Sequence, residues 1–210
     1  MWAYGITSLG IVANVATPVN TSRDMLGFIS YGYALSLLLQ DRLDEFVLFL
    51  YSHRYHVHNR GMWIAGEVTS TGQDQTNDNA FLFCMPAAHS LPIIIRAALV
   101  LEHPDDDVLF LGRGIPRAWI ATGKETSIVG APTRWGRVDF SIVLDEGTRT
   151  MKAVVGFEGE GPAETRVKLR VPGGKNLAGV TVNGQKWSLA GEEVVLGSGV
   201  KTATIIGFYK

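Results

Sequence analysis

Two different spacings of apolar residues divide this chain. In the first half, Met25, Phe28, Ile29, Leu35 and Leu38 recur at the intervals of one helical face, which predicts a helix over 21–40. Thr21-x-x-Asp24 resembles a capping box at its start. Asp41-x-x-Asp44 marks a second start, and Phe46 to Tyr55 continue as another helix, so the two form a hairpin with a short connection. A third helix is predicted from Pro86 to Glu102, with Leu91, Ile94, Ile95, Ala98 and Leu101 on one side and Pro92 placed to bend it. A short helical turn is expected around Ile115 to Ile120.

From about Thr126 the period becomes two. Val138, Phe140, Ile142 and Leu144 alternate with Asp139, Ser141 and Val143, and Val167, Leu169 and Val171 alternate with Lys168 and Arg170. Asn183-Gly184 is a hairpin signal between Val180–Val182 and Trp187–Leu189. Asp145-Glu146-Gly147 and Pro172-Gly173-Gly174 separate further strands. The predicted fold is α+β: N-terminal helical hairpins over 1–122, then an antiparallel β-sandwich over 123–210.

Composition narrows the classes. The chain is 46% hydrophobic and 19% charged over 210 residues, enough apolar material for a sizeable core. Its formal net charge of -1 supplies no global field for nucleic acid or an anionic membrane, so neither is expected as a partner. The single cysteine, Cys84, excludes an intramolecular disulfide. The apolar run Leu91 to Leu101 is interrupted by Pro92 and Arg96 and is too short to span a bilayer. The N-terminus lacks a basic leading region and is not read as a signal peptide, which leaves a bacterial cytoplasmic or a secreted location open.

The candidate chemistry sits where periodicity fails. Residues 53–79 are rich in His, Asn, Gly, Thr and Gln, and a long irregular stretch within a compact domain is usually functional or disordered; Tyr55, Met62, Trp63, Ile64 and Val68 argue against disorder. Within it, Arg60-Gly61-Met62-Trp63-Ile64-Ala65-Gly66-Glu67 puts a carboxylate close in sequence to an aromatic and a basic residue. Sugar rings are held by aromatic faces and by hydrogen bonds from polar side chains, and glycosidic cleavage uses two carboxyl groups. Glu67 is the first candidate, with Asp74 or Asp78 as the second. The plain structural role for Glu67 is a loop residue held by Arg60, and for Asp74 and Asp78 a solvated turn.

Other constellations are weaker. His53-x-x-His56-x-His58 has a spacing compatible with a transition metal, but no cysteine is near it in sequence and the His-Glu-x-x-His pattern is absent. Ser90 follows His89 without a Gly-x-Ser-x-Gly elbow. Gly112-Arg113-Gly114 falls short of a dinucleotide fingerprint, and no cofactor is expected. Arg113, Arg117 and Trp119 are placed either to line a groove or, for the arginines, to pair with Asp105, Asp106 or Asp107.

Taken in order, these features resemble the C-terminal portion of six-hairpin, (α/α)6-barrel glycosidases with a trailing β-sandwich, of the rhamnosidase-like kind. The residues that carry the resemblance are the aromatic-rich helical hairpin, Arg60-Gly61-x-Trp63-x-Ala65-x-Glu67, then Gly112-Arg113-Gly114-Ile115-Pro116-Arg117-x-Trp119. They continue with the strand into Pro172-Gly173-Gly174 and the Val182-Asn183-Gly184 hairpin, spanning about residues 20 to 210. The resemblance implies that the helices form part of an α/α toroid and that Glu67 lies at its mouth with His58, Asn59, Arg60 and Trp63 nearby. Such a barrel needs more hairpins than this chain holds. Either the remaining helices lie upstream, or a second copy covers the open helical face. The expected activity is glycoside hydrolysis of a polysaccharide or oligosaccharide. The alternatives are a non-catalytic carbohydrate-binding or accessory module and a His-dependent metallohydrolase.

Overall fold

The computed structural model describes residues 3–6, 12–15, 25–26, 30–56, 65–66, 68–69 and 84–210. The chain divides into two compact units, Met1–Arg96 and Ala97–Lys210. The fold is α+β.

In the first unit, strands β1 (Ala3–Ile6), β2 (Val12–Val15) and β3 (Met25–Leu26) precede helices α1 (Ser30–Leu39) and α2 (Leu43–His56). Strand β4 (Val68–Thr69) and helix α3 (Met85–Leu99) follow. The four strands form an antiparallel sheet in the order β1-β2-β3-β4. This sheet is absent from the sequence reading. Met25, read there as part of the first helix, pairs with Ala13 and Thr69. The helix is described from Ser30, and Thr21 and Asp24 lie outside the described residues.

The predicted hairpin is present. Leu43, Phe46, Phe49, Leu50 and His53 are buried on one face of α2, and Ala34, Leu37 and Leu38 are buried on α1. Tyr33 meets Phe49 edge-on, with ring centroids 5.2 Å apart. Asp41 does not start α2. It closes α1 in a left-handed conformation (φ 58), with its N–H on Leu38 O and the Arg42 N–H on Leu37 O. That pair of bonds is a Schellman cap, and an Asp tolerates the φ a glycine usually fills. The first turn of α2 is instead braced by Arg42, whose guanidinium bonds the Glu45 carboxylate at 2.9 Å.

Helix α3 ends earlier than predicted. Val100–Glu102 is strand β5, because Val100 and Leu101 pair with Leu111 and Phe110 of the next strand. Ile95 also lies off the buried face, which is built from Ala87, Leu91, Ile94 and Ala98.

The second unit continues with β6 (Val108–Leu111), α4 (Arg117–Ile120), β7 (Thr126–Thr133), β8 (Gly136–Asp145) and β9 (Thr150–Glu158). It ends with β10 (Glu164–Lys168), β11 (Leu177–Val182), β12 (Gln185–Trp187), β13 (Glu193–Gly197) and β14 (Thr202–Tyr209). One sheet has the order β13-β10-β6-β5 and is antiparallel except for the parallel β6–β10 pair. The other is a six-stranded antiparallel sheet, β12-β11-β14-β9-β8-β7. Leu109, Leu111, Val167 and Leu196 from the first sheet share one buried cluster with Phe140, Ile142, Val155 and Ile205 from the second. Two sheets closing on one core form the arrangement of a β-sandwich. The boundary between the two compact units falls at 96/97, and β5 and β6 belong to a sandwich sheet.

The alternation in β8 acts as the period predicts: Val138, Phe140, Ile142 and Leu144 are buried, while Arg137, Asp139 and Asp145 are exposed. Asn183 (φ 50) and Gly184 (φ 80) make the two-residue turn between β11 and β12, with left-handed values at both positions as a type I′ hairpin requires.

Candidate functional site

Glu67, Asp74, Asp78, His58, Asn59, Arg60 and Trp63 lie outside the described residues. What is described is the chain on either side of Glu67. The Ala65 carbonyl accepts the Cys84 N–H at 2.8 Å, and the Cys84 carbonyl in turn accepts the Ala88 N–H in the first turn of α3. On the other side, Val68 pairs with Leu26. Ala65 is buried and Gly66 half-buried.

The helices around these anchors carry a buried polar pair. His53 Nε2 lies 2.7 Å from Ser90 Oγ, and that hydroxyl donates to the Ala87 carbonyl at 2.6 Å. Since the hydroxyl proton is engaged with Ala87, His53 donates from Nε2. The Phe49 ring stacks on the imidazole with centroids 5.6 Å apart. Both His53 and Ser90 are fully buried, so the pair fastens α2 to the first turns of α3 rather than presenting a nucleophile. Ser90 was not read as a partner of His53, because their separation of 37 positions hides the contact.

Of the three histidines weighed for a metal, His53 is thus committed to the helix packing, the backbone of His56 closes α2, and His58 lies outside the described residues. Among the described residues no group of three or more His, Cys, Asp or Glu side chains is placed to hold a metal ion. Nor is any described helix long and apolar enough to cross a membrane.

In the second unit, Gly112-Arg113-Gly114 has a structural task. The N–H groups of Gly112 and Gly114 donate to Leu99 O and Ala98 O, at 2.8 and 2.9 Å, and so satisfy carbonyls that the end of α3 leaves open. Gly112 sits at φ 70 with Phe140 and Ile115 close to where a Cβ would stand, so both conformation and space favour glycine. Arg113 and Arg117 do not pair with Asp105, Asp106 or Asp107. Arg113 lies 4.2 Å over the Phe110 ring and 3.3 Å from Glu193, and Arg117 bonds Glu192 at 2.6 Å and the Val171 carbonyl at 3.2 Å. Arg166 adds a second guanidinium to Glu193 at 3.7 Å, and buried Arg170 donates to the Arg113 carbonyl. The acidic loop goes elsewhere: Asp106 faces His103 at 3.3 Å, and its carbonyl accepts Arg134. The adjacent Glu192 and Glu193 are the partners missed from sequence.

No protein-family model matches the chain, and a search of curated proteins finds no match. Among solved structures the chain is similar to one described as "Glycoside hydrolase", with a TM-score of 0.43 and 9% sequence identity. The match covers 94% of this chain and 34% of that one, so this chain spans about a third of its length. A likeness of that degree leaves the activity open.

Proposed function

We propose that this chain is a glycoside hydrolase, or part of one, that cleaves a polysaccharide or oligosaccharide by carboxylate acid/base catalysis. Glu67 is the acid or base, and Asp74 or Asp78 supplies the partner carboxylate. Trp63 stacks on a sugar ring, while His58, Asn59 and Arg60 hydrogen-bond it. The observation that carries this reading is the double anchorage of the chain beside Glu67: Ala65 is tied to the N-terminus of α3, and Val68 to β3. A catalytic carboxylate must be held within a fraction of an ångström, and backbone bonds on both sides are a way to hold it. The order of elements, a helical hairpin, a further helix and then an antiparallel sandwich, also accords with the resemblance. On this reading α1 and α2 are one hairpin of an α/α toroid. Tyr31, Leu48, Tyr51, Ile93 and Ile95, exposed on the helices, are then the surface on which further helices or a second copy would lie.

The test is release of reducing sugar from a panel of polysaccharides. Turnover by the native chain that disappears in Glu67→Gln supports the assignment, and turnover unchanged in that variant removes Glu67 from the mechanism. A second reading, a non-catalytic carbohydrate-binding or accessory module, is favoured by the sandwich having a core of its own. Glycan binding without turnover, equal in the native chain and Glu67→Gln, would favour it.

A further inference from the structure

A cleft of about 210 Å³ opens on the sandwich beside the turn between β10 and β11. Its floor is apolar: Leu144, Val171 and Tyr209 are buried, and Pro172 is half-buried. Its rim carries opposite charges, Glu146 and Lys175, both exposed. Among the described residues neither side chain forms an ion pair, and the Lys175 ammonium rests 5.1 Å from the Tyr209 ring centroid. The third wall is the turn itself. Gly173 (φ 73) and Gly174 (φ 69) both take left-handed values, and a Cβ on either would meet nothing within 4 Å. Crowding therefore does not require glycine there, whereas the tight turn does. Among the described residues no acceptor takes the Gly173 N–H.

The geometry points to a binding site for a single sugar residue, separate from the segment that carries Glu67. The volume is below the roughly 300–1,000 Å³ of sites for drug-sized ligands, which limits the occupant to about one ring. An apolar floor with exposed donors and an acceptor at its rim matches a pyranose. Its C–H face would lie on Pro172, with hydroxyls reaching the Glu146 carboxylate, the Lys175 ammonium and the Gly173 N–H. The choice of a sugar over another small polar ligand rests on the carbohydrate reading above; the cleft does not.

The experiment is a titration of the full chain with neutral pentoses and hexoses, followed by amide resonances. The expected result is saturable shifts centred on Glu146, Gly173, Gly174 and Lys175, with affinity of about millimolar order. Glu146→Gln and Lys175→Ala should each weaken binding about tenfold while leaving the melting temperature unchanged. Absence of shifts at these amides, or shifts indifferent to both substitutions, overturns the site. So does a response to acidic or zwitterionic small molecules with none to sugars. The two proposals fail separately. Sugar binding here in a chain that shows no hydrolysis sinks only the Glu67 assignment. Hydrolysis lost in Glu67→Gln while these amides stay silent sinks only the cleft.

Discussion

The helical unit and the sandwich handle polar and apolar groups differently. In the sandwich an apolar cluster fills the core, buried Arg170 is bonded to the Arg113 carbonyl, and the charged groups Arg113, Arg117, Arg166, Glu192 and Glu193 are matched at the margin. In the helical unit a His–Ser pair sits fully buried between α2 and α3, while Tyr31, Leu48, Tyr51, Met85, Ile93 and Ile95 are exposed. The sandwich also exposes Val129, Val154, Trp187 and Phe208, and two of these have a local setting. Val129 stands where the β7–β8 register shifts, beside Gly130 and its bond to Asp139, and Trp187 donates its indole N–H to Val195 O at 3.0 Å. On the proposed reading the sandwich is the support, and the outward apolar helix faces are where further helices or a second copy would lie.

The largest expected effect lies in the support. Gly136 has φ 112, and a Cβ there would stand 2.1 Å from the Glu158 carbonyl oxygen. Gly136→Ala combines backbone strain with a clash against backbone, so denaturant unfolding should show a loss of about 3 kcal/mol or more. A loss within the scatter of surface substitutions would show that the β8–β9 pairing yields more easily than the close approach implies.

Next in size is the charged margin. Glu193→Ala leaves Arg113, whose side chain is 11% exposed, without its carboxylate, and removes the second contact of Arg166. Partial exposure of Arg166 moderates the penalty, and about 2 kcal/mol is expected by chemical denaturation. In the helical unit Ser90→Ala strands the buried His53 Nε2 and should cost about 1–3 kcal/mol. His53→Leu combined with Ser90→Ala should recover part of that loss, because the Nε2–Oγ pair is then removed from both sides. A double variant weaker than Ser90→Ala alone would mean that His53 is held by more than this pair.

The exposed helix faces should behave differently. Leu48→Ser and Ile93→Ser should each change stability by no more than about 0.5 kcal/mol in a chain whose helices are uncovered. If a second copy covers them, the same substitutions shift the sedimentation profile toward monomer, and an unchanged profile removes the second copy.

The smallest effect is on acid stability. The backbone N–H and hydroxyl of Thr148 hold the Asp145 carboxyl below the usual aspartate range. A lowered folded-state value stabilises above the unfolded-state value, and that contribution is lost as pH falls through the folded one. Asp145→Asn should therefore flatten the acid limb of a melting-temperature profile slightly and leave the neutral region almost unmoved.

How far the sequence could be read differs between the same two regions. In β8 and at Asn183-Gly184, local alternation and a positive-φ turn specify the structure within a few residues, so strand and hairpin were legible. The N-terminal sheet was not, because β3 and β4 are two residues each and owe their existence to partners distant in sequence. The end of α3 was misjudged for a related reason. Val100 and Leu101 continue the helical spacing, but both are apolar, Val100 is β-branched, and they find Leu111 and Phe110 beside them. Arg113 and Arg117 were recognised as candidates for ion pairing while their partners were not, since Glu192 and Glu193 come close only through the pairing of β13 with β10. The residues around Glu67 were selected from residue type alone, and the described anchors at Ala65 and Val68 bear on their chain neighbours.

The most direct test of the central claim compares hydrolysis rates of the native chain and Glu67→Gln on one glycan across pH. The account predicts a fall of about 10²–10⁴-fold and loss of one limb of the pH–rate profile. Equal rates with an unaltered profile would contradict it.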